Sequence, residues 1–154
     1  MKKRINDMHY KKMNIWVGIF GLCMLFNLNA GEPSDFVVIV HKSNPIKALD
    51  KNKLSEIFLK KVQVWENNEM ILPIELKEDA PVRITFSTKI HEKKVSKIKA
   101  YWQKQIFSGR GIPPPEKAND LEILKYIEEN PNAIGYVSTK TNIADFPVVA
   151  ISIE

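Results

Sequence analysis

Cysteine is almost absent: Cys23 stands in an apolar stretch near the N-terminus, and no other follows it. The rest of the chain can hold neither an internal disulfide nor a thiolate metal site, so packing must supply its stability. Histidine is nearly as scarce. His41 and His91 lie far apart with no second ligand at metal spacing, and a solvated surface group is the expectation for each. Glycine numbers six, with no glycine-rich phosphate loop and no Gly-x-Ser-x-Gly elbow. Carboxylates are scattered among lysines, as on solvated helix faces. Nothing here points to an enzyme, a metal or another cofactor.

Long apolar runs are also missing. The longest is "IWVGIFGLCMLF", Ile15 to Phe26, shorter than the roughly 20 residues a membrane span needs. Lys2, Lys3, Arg4, Lys11 and Lys12 precede it and "NLNAGEP" follows. This is the pattern of a secretory signal peptide over residues 1–30, with cleavage expected after Ala30; an uncleaved anchor is the alternative. Leu22 before Cys23 does not suit a lipobox. Removing 1–30 takes away five basic residues and one acidic residue, so the formal charge falls from +5 to +1. The basicity therefore belongs to targeting and gives no support for nucleic-acid binding. Residues 31–154 suit one exported, periplasmic domain with a modest core.

Within that domain, apolar and turn signals alternate. "DFVVIVHKSNP" predicts a buried strand from Phe36 to Val40, then a turn. "DKNKLSEIFLKK" predicts a helix with Asp50 or Asn52 as cap and Leu54, Ile57 and Phe58 inward. "EMILPIEL" is extended, with Pro73 marking an edge or interrupted strand. A helix is expected from Asp79 to about Ile90. A second carries Val95, Ile98, Trp102 and Ile106 on one face. "SGRGIPPP" is a loop. A helix over Asp120 to Glu129 is announced by Asn119 and Glu122 and stopped by Pro131, with Asn132 suited to a left-handed turn. "AIGYVS" and "FPVVAISI" are strands. Interleaved strands and helices make the class α/β. Among the aromatics, Trp102 falls on an apolar stripe and is expected in the core, while Trp65 stands in an irregular stretch and is a candidate for exposure.

"LSEIFLKKVQVW", "KAYWQKQIFSGRGIPPP" and "ENPNAIGYVS" occur in an order and spacing that resemble the phosphate-type periplasmic substrate-binding proteins, above all their short single-lobe members. The likeness covers about Val37 to Ile153. It implies a single lobe of a type 2 periplasmic binding protein, with a central mixed sheet flanked by helices. It also implies that full-length relatives hold phosphate between two lobes, of which this chain supplies only the second.

The resemblance bears most on "KEDAPVRITF", Lys77 to Phe86. Full-length phosphate binders resemble Arg-x-Asp-x-Ser-Gly-Thr here. This chain has Leu76 for the arginine, Glu78 for the aspartate, and Ala80, Pro81 and Val82 for Ser-Gly-Thr. Two hydroxyl donors are gone, and Pro81 has no N–H. Arg83 matches the Gly-Ser-Pro-x-Arg pattern of the short members, with Asp79 and Ala80 in place of its glycine and serine. Two readings stand: a helix start capped by Asp79 with Pro81 in the first turn, or a weakened oxyanion site using Arg83 and the helix dipole. Arg110 in "SGRGIPPP" offers a planar fork for an oxyanion, although helix termination at Gly109 or Gly111 accounts for the rest of that loop. Ser43 and Asn44 are further cleft candidates because they follow a strand. The expected ligand is phosphate or another small oxyanion, weakly bound, and the expected partner a membrane transporter or sensor. The alternative function is an envelope interaction module that kept the lobe and lost the ligand.

Overall fold

The computed structural model describes residues 35–154, so the signal segment 1–30 and its cleavage point lie outside the described residues. The chain forms β1 (Phe36–His41), β2 (Ala48–Leu49), α1 (Lys51–Phe58), β3 (Leu72–Pro73), β4 (Glu75–Leu76), α2 (Pro81–Ile90), α3 (Val95–Phe107), β5 (Glu116–Lys117), α4 (Asp120–Glu129), β6 (Ala133–Ser138) and β7 (Val148–Ile153). Among the described residues no helix is long and apolar enough to cross a membrane.

A mixed five-stranded sheet has the order β2-β7-β1-β6-β3. β1 is central because its run of β-branched residues needs cover on both faces, and Val38, Ile39 and Val40 are buried. It pairs antiparallel with β6 and β7, while β3 runs parallel to β6. β3 holds Pro73 and ends the sheet, where a missing N–H is tolerated. β4 and β5 form a separate parallel pair. β4 leads into α2 and β5 into α4, so two helix N-termini follow one pair of parallel strand ends.

The helices start where side chains can take up free N–H groups. Asp50 accepts from Asn52 N at 2.7 Å and Lys53 N at 3.1 Å, and α1 buries Leu54, Ile57 and Phe58. Asn119 Oδ1 accepts from Glu122 N and so caps α4, while Glu122 Oε2 reaches one residue past the cap to accept from Ala118 N. α2 differs from expectation: its N-cap is Ala80, not Asp79, and no side chain caps it. Pro81 fits the first turn, where its fixed φ is already helical.

Phe86 of α2 stacks on Tyr136 of β6 at 3.9 Å between centroids, with Phe58 and Phe36 edge-on. α4 closes over β6 at Gly135, where an added Cβ would lie 2.8 Å from Ile74 Cγ2 and 2.9 Å from Ile123 Cγ2. Gly135→Ala is therefore expected to destabilise the domain by about 1–3 kcal/mol through overpacking. Urea unfolding measures this, and an unchanged midpoint would contradict the close approach.

Four local expectations are corrected. His91 is buried, packed edge-on to Phe86 and hydrogen-bonded through Nδ1 to Ser55 Oγ at 2.8 Å, so it is no surface histidine. Trp65 is buried and donates Nε1–H to Asn132 O at 3.1 Å, because the chain folds the loop before β3 back onto it. Ile106 is half exposed, because α3 packs through Ile98 and Trp102 while Ile106 stands on the wall of an open cavity. Among the described residues, Lys60, Asn68, Glu92 and Gly109 have positive φ; Asn132 does not.

Candidate functional site

Arg83 stands one turn into α2, three residues before Phe86, so both project from the same face toward β6. Its side chain is 3% exposed. Nη1 donates to Tyr136 Oη at 3.2 Å and is in direct contact with Glu75 Oε1 of β4. Glu75 is buried as deeply, at 2%. Burial pushes the Tyr136 phenol up to about 12, with Arg83 partly offsetting the effect, so Tyr136 remains a neutral hydrogen-bonding partner at neutral pH.

A cavity of about 190 Å³ opens beside this pair, walled by β4, β5, the start of α2 and the inner face of α3. Arg83 and Lys99 bring positive charge to it, and Glu75, Glu78 and Glu116 bring negative charge. Lys99 Nζ donates to Glu78 Oε2 at 3.0 Å on the exposed rim. Of the residues lining this cavity, two donors lack a hydrogen-bonding protein partner among the described residues, Arg83 Nε and Trp102 Nε1, as does one acceptor, Glu75 Oε1, which touches Arg83 Nη1. An unsatisfied buried donor costs about 1–3 kcal/mol, so the cavity suits a group that accepts hydrogen bonds. The uncapped N-terminus of α2 adds the positive end of a helix dipole at its edge.

The other sequence candidates lie elsewhere. Ser43 and Asn44 follow β1, whose direction is opposite to that of β3 and β6. They therefore emerge at the other end of the sheet from the start of α2. Ser43 Oγ is 2.7 Å from His41 Nδ1, and Asn44 is buried with Oδ1 accepting from Ile46 N. Neither lines the Arg83 cavity. Arg110 is exposed on a separate groove beside Tyr101, and Gly109 beside it takes the left-handed turn. Sequence reasoning missed Glu75, Lys99 and the free indole of Trp102. A glutamate inside the apolar run "ILPIEL" is itself a signal, because a charge in a buried strand needs a partner. No comparable signal marks Lys99. Among the described residues no cluster of side chains could hold a metal ion.

The sequence model of the PBP superfamily domain matches residues 34–150. The chain belongs to the PBP superfamily. Among solved structures, this PBP lobe is similar to a Clostridium perfringens protein assigned to the substrate-binding proteins of phosphate ABC transporters and solved with bound phosphate, at TM-score 0.60 and 19% identity over 78% of this chain and 45% of that one. It is equally similar to an ABC-type phosphate transport receptor from Vibrio cholerae, at TM-score 0.60 and 16% identity over 78% and 46%. PstS from Borrelia burgdorferi follows at 0.55 and 13%, over 79% and 47%. At these identities the likeness is one of fold. The PBP lobe spans under half the length of each of these proteins, as a single-lobe α/β architecture does. Among curated proteins, none matches the sequence.

Proposed function

We propose that this PBP lobe is an exported solute-binding-type domain that holds phosphate or a related small oxyanion, non-covalently, in the cavity beside Arg83. The observation that carries this reading is the pair of unpartnered buried donors, Arg83 Nε and Trp102 Nε1, on one cavity at an uncapped helix start. An oxyanion oxygen supplies the acceptor both lack, and Lys99 adds a second cation. The phosphate held by the similar Clostridium perfringens protein supports the ligand class. The signal-type N-terminus supports a periplasmic location, which N-terminal sequencing of the secreted protein tests: a start near Gly31 is expected, and an intact Met1 on membrane-embedded protein would reject it.

Three carboxylates line the same cavity, so binding is expected to be weak, in about the micromolar to millimolar range, and to weaken further with salt. Calorimetric titration with phosphate and sulfate is the direct measurement. Lys99→Ala removes a cation whose side chain is half exposed, so the fold should persist while affinity falls by about tenfold, the loss of one charge-assisted hydrogen bond. No heat and no phosphate-dependent thermal shift in either protein would sink the oxyanion reading. Glu75 favours a second reading: its contact satisfies much of the guanidinium with no ligand present, so the lobe can serve as an interaction module for a transporter or sensor.

A further inference from the structure

Between Lys93 and Pro115 the chain carries Lys93, Lys94, Lys97, Lys99, Lys104 and Arg110 and no acidic residue. Lys99 is held by Glu78; among the described residues no other cation of this stretch has a carboxylate partner. In a domain of nearly balanced charge, Lys97 and Lys104, with Lys93 just before the helix, fall on one side of α3, while Lys99 faces the Arg83 cavity.

That side is an open groove between α3 and the end of α1. Its larger part, about 600 Å³, has Leu59, Ala100 and Tyr101 as apolar surface over the buried Ile98, and Lys61, Lys93, Lys97 and Lys104 as border. A second part of about 240 Å³ shares Leu59 and Tyr101 and adds Ile112, Lys60 and Arg110. No carboxylate lines either part. From Lys97 to Gln105 the groove follows α3 for about 12 Å, two to three helical turns. It is built in advance: Tyr101 Oη donates to Leu59 O at 3.2 Å, and Lys60 Nζ to Pro113 O at 3.3 Å.

We infer that this groove docks an acidic amphipathic segment of a partner protein, apolar side chains seated against Leu59, Ala100 and Tyr101 and carboxylates meeting the bordering lysines. The charge sign selects the partner chemistry, and the elongated shape matches a helix laid in a groove. A flat anionic bilayer would meet the lysine ends without reaching the apolar surface between them. A bilayer would instead be entered by Phe107, 90% exposed past the groove at the end of α3.

The test uses the purified protein and a labelled helical peptide with leucines at i, i+3, i+4 and i+7 and glutamates elsewhere. Controls are a scrambled peptide of the same composition and phosphatidylglycerol vesicles. Fluorescence anisotropy should show saturable, salt-sensitive binding of the helical peptide and much weaker binding of the scrambled one. Lys97→Glu with Lys104→Glu should weaken binding at least about tenfold with unchanged melting temperature. Lys125→Glu, on the solvent face of α4, should leave binding intact. No saturable binding, equal binding of the scrambled peptide, or indifference to the double reversal would overturn the inference. So would vesicle binding lost with Phe107→Ser but kept in the double reversal. Self-association of the wild type, abolished by the double reversal, would assign the groove to a second copy and overturn it too. Phosphate titration reads the Arg83 cavity separately, so failure of either reading leaves the other standing.

Discussion

Arg83→Ala is expected to destabilise the domain by about 3–5 kcal/mol, as when one partner of a buried ion pair is removed. Glu75 would be left at 2% exposure with no cation in contact, an uncompensated buried carboxyl group, and the Tyr136 hydroxyl would lose its donor. Shrinking the arginine also opens space beneath α2 next to the Phe86–Tyr136 stack. The pair itself adds less than this number suggests, because desolvating both charges offsets most of their attraction. Arg83→Met combined with Glu75→Leu should therefore recover most of the lost stability, while binding no phosphate. Urea unfolding of the two variants and wild type measures the coupling. If Arg83→Ala fell within about 1 kcal/mol of wild type, the pair would have to be solvated. The comparison also separates structure from ligand binding, since the double variant keeps the fold and discards the cation.

Acidification should weaken the fold through His91. Burial, then Arg83 and Lys93, hold its imidazole down to about 4, against the usual 6.5. The native ring is neutral, with Nδ1 toward Ser55 Oγ, Phe86 edge-on and Nε2 unpartnered. As pH falls from about 6.5 toward 4, the unfolded chain takes up a proton that the native state refuses, so stability falls with pH across that window. Above pH 6.5 the contribution is fully present. A shift of this size corresponds to about 3 kcal/mol lost by pH 4. His91→Gln, which keeps a polar contact for Ser55 but cannot charge, should flatten the acid limb of the melting-temperature profile. Parallel profiles for wild type and variant would mean that His91 is free to protonate in the folded protein.

The buried strand β1, the start of α1 at Asp50 or Asn52, the Asn119 cap of α4 and the edge position of Pro73 were legible in the sequence. Each depends on residues a few positions apart, and local sterics and hydrogen bonding decide it. The α/β class followed from the alternation of such signals, and the matched span 34–150 agrees with the reach of the quoted motifs. Arg83 could be picked out from its place in a helix start, but its surroundings could not. Glu75 reaches it from β4, Tyr136 from β6, and Lys99 and Trp102 from α3. The cap at Ala80 instead of Asp79 shows the same limit at the scale of one residue, since side-chain propensity favours aspartate while the path out of β4 sets where helical geometry begins.

By itself, then, the sequence determined where the helices and the longer strands form, most of their apolar faces, and that packing without disulfides must hold the domain. It did not determine the short strands β2 and β5 or the division of "ILPIEL" between two sheets. Only the tertiary structure decided that Arg83 meets a buried carboxylate, that His91 and Trp65 are interior, that Ser43 and Asn44 lie at the far end of the sheet, and that the lysines of α3 border a groove. The reason is range. Hydrophobic period and capping act within a turn or two of chain. Burial, ion pairing and pKa depend on which distant elements the sheet register brings together, and antiparallel pairing of β1 against β6 sends consecutive candidates to opposite ends of one sheet.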